Sequence, residues 1–211
     1  MESKKVSNNM LVRTLIYLNY IKSLPQNTKN ISATKIAGAL GLGEVSVRKD
    51  LAKLSDGGRC KMGYQCHELI KDIENFLEVK NTMNAVVIGK GDMQQLLLEY
   101  TGFEAAGLNI VAGFDLSCSK KRNFSGKSIY PMNRLESFFN DQDIKIGIIM
   151  VPEEEAQEVC DKLVSLGVEG IWNFTPVHLN VPSHVVLQNE CLALSIAKLR
   201  IQMKERNAAD L

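Results

Sequence analysis

Two kinds of hydrophobic periodicity divide the chain near residue 80. Before that point, apolar residues recur every three to four positions, which indicates amphipathic helices. After it, short apolar runs alternate with helical stretches at the spacing of strand–helix–strand units, which predicts a parallel, doubly wound sheet. We therefore predict an N-terminal helical domain over residues 1–80, a Rossmann-like α/β domain over 81–188 and a closing helix over 189–211.

The N-terminal pattern contains a helix-turn-helix over Ile31–Leu54. Ser32 is a good N-cap, and Gly41–Gly43 interrupts the helical pattern where a tight turn is needed. The second helix, Glu44–Leu54, turns its apolar residues inward and presents hydroxyl and cationic groups to solvent, which is typical of a helix that enters the major groove of DNA. The outward-facing residues are Ser46, Arg48, Lys49 and Lys53.

Flanking segments complete a predicted winged helix. A helix over Ser7–Leu24 is predicted to pack behind the helix-turn-helix, and a further helix is expected over Cys66–Val79. Between them, the glycine-rich segment Ser55–Gln65 reads as a hairpin, whose Arg59 and Lys61 could reach a phosphate or the minor groove. The apolar stripe of the first helix is predicted to be Leu11, Leu15, Leu18 and Ile21.

Charge is distributed unevenly along the chain. Residues 1–80 carry 13 basic and 8 acidic side chains, whereas residues 81–211 carry 12 and 16, so the two parts differ in sign although the whole chain is +1. A positive N-terminal domain favours a phosphate-binding surface over a merely solvated helical corner. We therefore expect double-stranded DNA as a partner.

Several classes of protein are not supported by the sequence. It lacks a 20-residue apolar run and an apolar signal-peptide core, so a soluble, cytoplasmic protein with no membrane partner is expected. The five cysteines and three histidines lack metal-ligand spacing, which predicts reduced thiols and no metal. The sequence has no Tyr-x-x-x-Lys pair and no His–carboxylate dyad near the predicted strand ends, which argues against an enzyme.

A glycine-rich turn follows the first apolar run of the second domain. The segment contains Gly89, Lys90, Gly91, Asp92, Met93 and Gln94 and opens a helix, as the dinucleotide fingerprint G-x-G-x-x-G does. Asp115 ends the next predicted strand, where it could bind ribose hydroxyls. Gln94 stands where the third glycine is expected, and Asp92 places a carboxylate near a diphosphate, which would repel it.

Further polar and proline residues end later strands of the predicted sheet. Strands are expected at Asn109–Phe114, Ile144–Val151, Gly170–Phe174 and His184–Leu187, with helices at Met93–Tyr100, Glu153–Leu166 and Asn189–Arg206. Parallel strand ends meet at one edge, which is the ligand crevice of such folds, although turn chemistry alone explains proline and asparagine there. The candidate lining residues are Val151, Pro152, Asn173, Phe174 and Pro176.

These motifs together resemble the Rex family of redox-sensing transcriptional repressors, over about Arg13 to Ala193. The similar segments include Val47-Arg-Lys-Asp-Leu51, Tyr100-Thr-Gly-Phe103 and Leu179-Asn-Val-Pro182. The resemblance implies a homodimer with an N-terminal winged helix, a Rossmann-like domain that binds NAD(H), and a C-terminal helix exchanged between subunits. It also implies an interdomain relay, for which Arg13 and Tyr100 match the family and Cys191 replaces an aspartate.

Three functions remain open from the sequence. The first is a dimeric repressor whose operator binding depends on the NADH/NAD+ ratio, with the closing helix as the dimer element. The second is a repressor that is constitutive or that responds to another adenine nucleotide or a CoA-type ligand, which the residues at positions 92 and 94 favour. The third is an NAD-dependent dehydrogenase, which the Rossmann-like half suggests although fold alone does not determine function.

Overall fold

The computed structural model describes residues 7–59 and 62–209. The chain forms two compact units that meet between Asn81 and Thr82. The first unit is a winged helix and the second contains a mostly parallel sheet, which is the predicted combination of fold classes.

The first unit is built from four helices and a small two-stranded sheet. The bounds are α1 (Asn8–Ser23), β1 (Asn30–Ile31), α2 (Ala33–Leu40), α3 (Glu44–Leu54), β2 (Tyr64–Gln65) and α4 (Cys66–Phe76). Ser7 and Ser32 cap α1 and α2 by accepting hydrogen bonds from backbone N–H groups of the first helical turn. The antiparallel β1–β2 pair ties the loop before α2 to the end of the predicted wing.

The buried face of α1 differs from the predicted stripe. Leu18 and Ile21 are buried as expected, but Leu11 and Leu15 are 37% and 38% exposed. Met10, Thr14 and Tyr17 occupy the core instead. The prediction was wrong because it admitted only aliphatic residues to the core, whereas Thr14 satisfies its hydroxyl by donating to the carbonyl of Met10.

The second unit is a seven-stranded sheet with helices packed on it. Its elements are β3 (Met83–Gly89), α5 (Asp92–Glu99), β4 (Leu108–Asp115), β5 (Arg122–Phe124), β6 (Lys127–Pro131), α6 (Leu135–Asp141), β7 (Ile144–Met150), α7 (Glu153–Ser165), β8 (Gly170–Asn173), β9 (Val186–Asn189) and α8 (Leu192–Ala209). The strand order is β5-β6-β4-β3-β7-β8-β9, and every neighbouring pair is parallel except β5–β6. Apart from β5, this is the doubly wound order 3-2-1-4-5-6.

Several boundaries and elements depart from the sequence prediction. The β5–β6 hairpin and α6 were not predicted, and the last strand lies at Val186–Asn189, two residues later than expected. The final helix starts later because Asn189 still pairs with Asn173 in the sheet. Helix α4 ends at Phe76, short of Val79, and Glu78 follows with a φ of 53°.

The two faces of the sheet are covered unequally. Helices α6 and α7 pack against one face, and α5 packs against the other face over β3 and β4. On the α5 side, an apolar groove remains over the neighbouring strands, lined by Ile146, Trp172 and Val186 among others. Every side chain of α8 described between residues 193 and 206 is exposed, so this helix does not cover its own sheet.

Among the helices of the described ranges, none is long and apolar enough to cross a membrane.

Candidate DNA-binding surface and nucleotide crevice

Helix α3 separates an apolar face from a polar one, as predicted. Val47 and Leu51 are fully buried, and Leu54 is nearly so. The opposite face is exposed and carries the four residues that the sequence assigned to it, namely Ser46, Arg48, Lys49 and Lys53. A helix anchored from behind with cations in front has the form required for the major groove.

An ion pair within the first unit anchors α3 to α1. Arg13 donates from Nε and Nη2 to the two carboxylate oxygens of Asp50, at 2.7 and 3.0 Å. The hydroxyl of Tyr17 donates to the same carboxylate at 2.9 Å. Burial and the hydrogen bond to Asp50 raise the pKa of Tyr17 to about 12, and the bond to Asp50 raises the pKa of Arg13. The sequence analysis assigned Arg13 to an interdomain relay and did not identify Tyr17. A tyrosine among apolar helix residues does not indicate which side chain its hydroxyl will bind.

A groove lies between α3, the start of α2 and the wing. Its lining includes Arg48 and Arg59, two of the predicted DNA contacts. Glu44 holds Arg48 in an i,i+4 ion pair and accepts a hydrogen bond from Thr34, which links α3 to α2. The groove thus brings cations of the helix and the wing together, whereas Lys61 lies outside the described residues.

The wing depends on one glycine. Arg59 and Gly63 form an antiparallel bridge that closes the loop. Gly63 has a φ of 73°, and a Cβ at this position would lie 2.3 Å from the carbonyl oxygen of Ile31. A side chain there would therefore displace the wing from β1.

The predicted nucleotide residues of the second unit lie along one edge of its sheet. The parallel pairing aligns Gly89 with Met150, Ile88 with Phe114, and Ile149 with Asn173. The carboxyl ends of β4, β3, β7 and β8 therefore meet at the point where the strand order reverses, which is where doubly wound sheets bind ligands.

The glycine turn after β3 leaves room for a phosphate group. Gly91 has a φ of 78° and a ψ of −160°, a conformation restricted to glycine, and nothing lies within 4 Å of the position where its Cβ would be. Gly89 lies so close to the next strand that a Cβ would be 2.8 Å from the Met150 carbonyl oxygen. Lys90, Asp92 and Met93 are exposed at this turn, so water screens the charge of Asp92. The turn accordingly fits a dinucleotide backbone.

Gln94 fills the space that a third glycine would leave open. It is 1% exposed, and its Nε2 donates to the carbonyls of Phe114 and Val87 at 2.8 and 3.2 Å. Its Oε1 is buried and has no hydrogen-bond partner among the described residues. An unsatisfied buried acceptor costs about 1–3 kcal/mol, so a donor from a ligand or water would stabilise this position.

Asp115 is nearly buried and already engaged. Its Oδ1 accepts hydrogen bonds from the backbone N–H and the hydroxyl of Ser117, at 2.8 and 2.7 Å. Its Oδ2 accepts one from Nη2 of Arg122 at 2.6 Å. Burial alone would raise the pKa of Asp115, but the bonds from Ser117 and the charge of Arg122 lower it below its ordinary value. Sequence reasoning found this carboxylate but not the arginine that neutralises it.

The candidate residues after β7 and β8 differ in their surroundings. Val151 is buried, Pro152 precedes α7, and Pro176 is exposed. Asn173 is fully buried, and its side chain accepts from the N–H and hydroxyl of Thr175 and donates to Val177 and Asn189. Its amide therefore organises the loop that Phe174 begins, and a direct contact with a ligand stays a prediction.

The predicted relay residues are found in both units. Tyr100 is exposed and makes an edge contact with Phe103, whose ring in turn contacts Trp172 and, through it, Phe174. An aromatic chain thus runs from the end of α5 to the loop after β8. Cys191 is exposed, and Arg13 is bound to Asp50 within the first unit.

Within the described residues no group of His, Cys, Asp or Glu is arranged to hold a metal.

Family models match both parts of the chain. A model described as a putative DNA-binding protein N-terminus matches residues 5–52, and one described as a CoA binding domain matches residues 80–177.

Named relatives match nearly the whole chain. A redox-sensing transcriptional repressor Rex from Carboxydothermus hydrogenoformans is 32% identical over 97% of this chain and 99% of its own. One from Clostridium perfringens is 34% identical over 94% and 95%. Among solved structures, RSP in complex with β-NAD+ and operator DNA has a TM-score of 0.85 at 29% identity, covering 99% of this chain and 97% of that one. RSP in complex with β-NADH has a TM-score of 0.83 at 28% identity, covering 99% of both.

Proposed function

This chain belongs to the Rex family of redox-sensing transcriptional repressors, and from that premise we propose that it represses transcription as a homodimer. In this proposal each winged helix binds half of an operator in double-stranded DNA, and NAD(H) in the Rossmann-like unit modulates that binding. The relatives are named repressors, which fits a protein that is not an enzyme.

The observation that carries the proposal is the amphipathic structure of α3, which has a buried apolar face and an exposed cationic face. Val47 and Leu51 fix the helix against the core, and the pair between Arg13 and Asp50 holds it to α1. Arg48 and Lys49 then project into solvent from a rigid support. A preorganised cationic helix loses little conformational entropy on entering the major groove, which favours DNA over a loosely solvated surface.

The nucleotide part of the proposal rests on the carboxyl edge of the sheet. Gly91 adopts a conformation restricted to glycine with open space beside it, and Gly89 lies too close to β7 for a side chain. Asp115 stands at the end of the neighbouring strand. A bound nicotinamide nucleotide would carry the redox information as the oxidation state of its ring. The protein would supply the open turn, the N-terminus of α5 and the polar groups that orient the ligand.

The proposal of a homodimer is supported by exposed apolar surface on the second unit. Leu199, Ile201 and Met203 are more than half exposed on α8, although soluble monomers rarely expose so many apolar side chains on one helix. An apolar groove over β7, β8 and β9 is open on the same unit. We propose that α8 is exchanged between two copies of the chain, as the family resemblance implies.

A second candidate function is favoured by one arrangement. Gln94 fills the usual third-glycine position, and Arg122 already occupies the carboxylate of Asp115. A repressor that responds to a different adenine nucleotide or a CoA-type ligand would be compatible with both features. The dehydrogenase alternative gains no comparable support from the described residues.

The test begins with the DNA. The purified full chain would select duplexes from a random-sequence pool, and fluorescence anisotropy would measure its affinity for the selected duplex with and without NADH or NAD+. We expect a palindromic sequence, preferential binding over a scrambled duplex, and a change in affinity on adding one nucleotide. No preference over the scrambled duplex would refute the repressor, and preference that is indifferent to both nucleotides would refute only their modulating role.

A further inference from the structure

We infer that Glu155 of α7 recognises the adenine base of the bound dinucleotide, by accepting a hydrogen bond from the exocyclic amino group of that base. The inference rests on the proposed nucleotide-binding function and adds to it a residue that selects adenine over other purines. The feature that points to it is a cavity at the carboxyl edge of the sheet, which is lined by a carboxylate with a shielded oxygen that has no hydrogen-bond partner among the described residues.

The cavity lies beside the position that a bound ribose would occupy. Asp115 ends β4 and is aligned in the sheet with Pro131 at the end of β6. The residues that follow these two strand ends, Leu116 and Met132, both line the cavity. In Rossmann folds the acid at the end of this strand binds the hydroxyls of the adenosine ribose. The base attached to that ribose therefore has the space beside Leu116 available to it.

The size and the lining of the cavity suit a purine. Its volume is about 680 Å³, within the range of about 300–1,000 Å³ that is usual for small-molecule sites. Leu116, Met132 and Val159 supply apolar surface for the faces of a flat ring, and Val159 belongs to the core beneath α7. In an apolar site a few polar groups decide which ligand binds, so the polar groups of this cavity determine its preference for a base.

Glu155 brings a poorly solvated acceptor to this cavity. It lies in the first turn of α7, and its Oε2 is buried without a hydrogen bond from any described residue. Lys162, a cation that lines the same cavity, is bound to Glu136. A shielded carboxylate without a donor is unfavourable, so an N–H group that a ligand carries into the cavity would stabilise it.

The exocyclic amino group of adenine is a donor of this kind. Adenine has an amino group at position 6, where guanine has a carbonyl oxygen, as hypoxanthine also does. A carbonyl oxygen facing Glu155 would bring two acceptors together and leave both without a donor. NADH and NAD+ carry the same adenine and differ only in the nicotinamide ring. Recognition of the base by Glu155 would therefore hold both redox forms of the ligand alike.

The other acids of the cavity differ from Glu155 in their surroundings. Glu158 and Asp161 also line it, but both are exposed, so water solvates their carboxylates. Asp161 in addition accepts a hydrogen bond from Gln157. Neither acid depends on a donor from a ligand, and Glu158, on the same helix, provides a matched control for Glu155.

The test compares ligands that differ in the base alone. Isothermal titration calorimetry of the full chain would use NADH and NAD+ beside nicotinamide hypoxanthine dinucleotide in its reduced and oxidised forms. We expect each adenine dinucleotide to bind roughly tenfold or more tightly than its hypoxanthine analogue in the same redox state. Equal affinity for the two bases would overturn the inference.

The deciding variant is Glu155→Gln, because its amide can donate a hydrogen bond to the carbonyl oxygen of hypoxanthine. The hypoxanthine analogue should bind this variant more tightly than it binds the wild type, and the preference for adenine should shrink or reverse. Glu155→Ala removes the acceptor and should bring the two ligands to similar affinity. The loss of a negative charge acts on both ligands equally, and so does misfolding, so the ratio of the two affinities isolates recognition of the base. Glu158→Gln removes a similar charge from the same helix and should keep the wild-type ratio.

The failures of the two proposals are distinguishable. If NADH and its hypoxanthine analogue bind equally tightly, the inference is wrong and the proposed NAD(H)-modulated repressor stands. If the wild type prefers adenine and Glu155→Ala keeps the whole of that preference, another group recognises the base and the role of Glu155 is refuted. If no dinucleotide binds, both the inference and the nucleotide part of the proposed function fail.

Discussion

Arg13 of α1 forms an ion pair with Asp50 of α3 through two hydrogen bonds. The Nε–Oδ2 distance is 2.7 Å and the Nη2–Oδ1 distance is 3.0 Å. The pair lies at the back of α3, so it fixes the orientation of the helix whose front carries Arg48 and Lys49. The packing of α1 and the orientation of the proposed DNA-contacting face of α3 therefore depend on the same carboxylate.

Removal of the cation should destabilise the winged helix. Arg13→Met leaves the carboxylate of Asp50 buried without its ionic partner, and we expect a loss of roughly 3 kcal/mol in unfolding free energy, as for other broken pairs of this kind. Urea unfolding followed by far-UV circular dichroism measures the change. Trp172, the single tryptophan, lies in the second unit, so its fluorescence should report an unaltered transition. Lys22→Met breaks a more exposed pair with Glu74 and should cost about 1 kcal/mol or less.

The hydroxyl of Tyr17 should make stability depend on pH in the alkaline range. Its pKa is about 12 in the folded chain against 10.0 ordinarily, so folding favours the protonated phenol. The contribution is complete below pH 10 and is lost as the pH rises through 12. Tyr17→Phe has no proton to lose, so the stability difference between wild type and variant should shrink from pH 10 to 12. A difference that is constant over this range would contradict the assignment.

The exposed cations of α3 should contribute separately to DNA affinity. Arg48→Ala and Lys49→Ala each remove a positive charge, and we expect roughly tenfold weaker binding for each. A residue that contacts phosphate should also lower the slope of log affinity against log salt by about 1. Anisotropy titrations from low to moderate salt measure both effects. Lys71→Ala removes an exposed charge from α4 and should leave affinity and slope unchanged, and equal losses for all three variants would argue against a specific surface.

Substitution on α8 should separate the proposed dimer. Leu199→Glu places a charge where an apolar side chain is expected to be covered by the partner, and burial of an unpaired charge is strongly unfavourable. Sedimentation equilibrium should give a monomer for this variant and a dimer for the wild type, with weaker DNA binding as a consequence. Lys204→Gln changes a polar residue on the same helix and should remain dimeric. A wild-type chain that sediments as a monomer would refute the proposal itself.

The spacing of apolar residues along the sequence was sufficient to locate α3 and the first strand of the sheet, because it is regular in both elements. It failed for the face of α1, where Thr14 and Tyr17 enter the core through hydrogen bonds that a count of aliphatic residues ignores. It also missed the β5–β6 hairpin, since an edge hairpin with exposed polar side chains leaves no apolar run.

The candidate crevice was predictable in position but not in its chemistry. Gly89, Gly91 and Asp115 follow a known spacing, and parallel strands bring their ends together. The bond between Arg122 and Asp115 depends on the hairpin that the sequence pattern did not reveal. Likewise, nothing in local sequence indicates that Gln94 bonds two strand-end carbonyls. Such contacts are set by tertiary packing, which single-sequence periodicity does not encode.

Asn173 offers a test of whether its amide supports the crevice or contacts the ligand. Asn173→Ala removes four hydrogen bonds in a buried loop, so we expect a loss of about 1–3 kcal/mol for the second unit, measured by urea unfolding with Trp172 fluorescence. Asn173→Asp retains the acceptor for Thr175 but turns a buried carboxylate oxygen toward the carbonyl of Val177 and Oδ1 of Asn189, so it should be at least as destabilising as Asn173→Ala. Gln188→Ala, exposed on the next strand, is the control and should be neutral.

The same variants distinguish the two roles when nucleotide affinity is measured beside stability. If Asn173 only organises the loop, the losses of affinity and of stability should rank the two variants in the same order. If the amide contacts the ligand, Asn173→Asp should lose more affinity than its loss of stability accounts for, because a carboxylate would replace the donor facing an anionic nucleotide. Since all four hydrogen bonds of the side chain are made within the chain, we expect the first result.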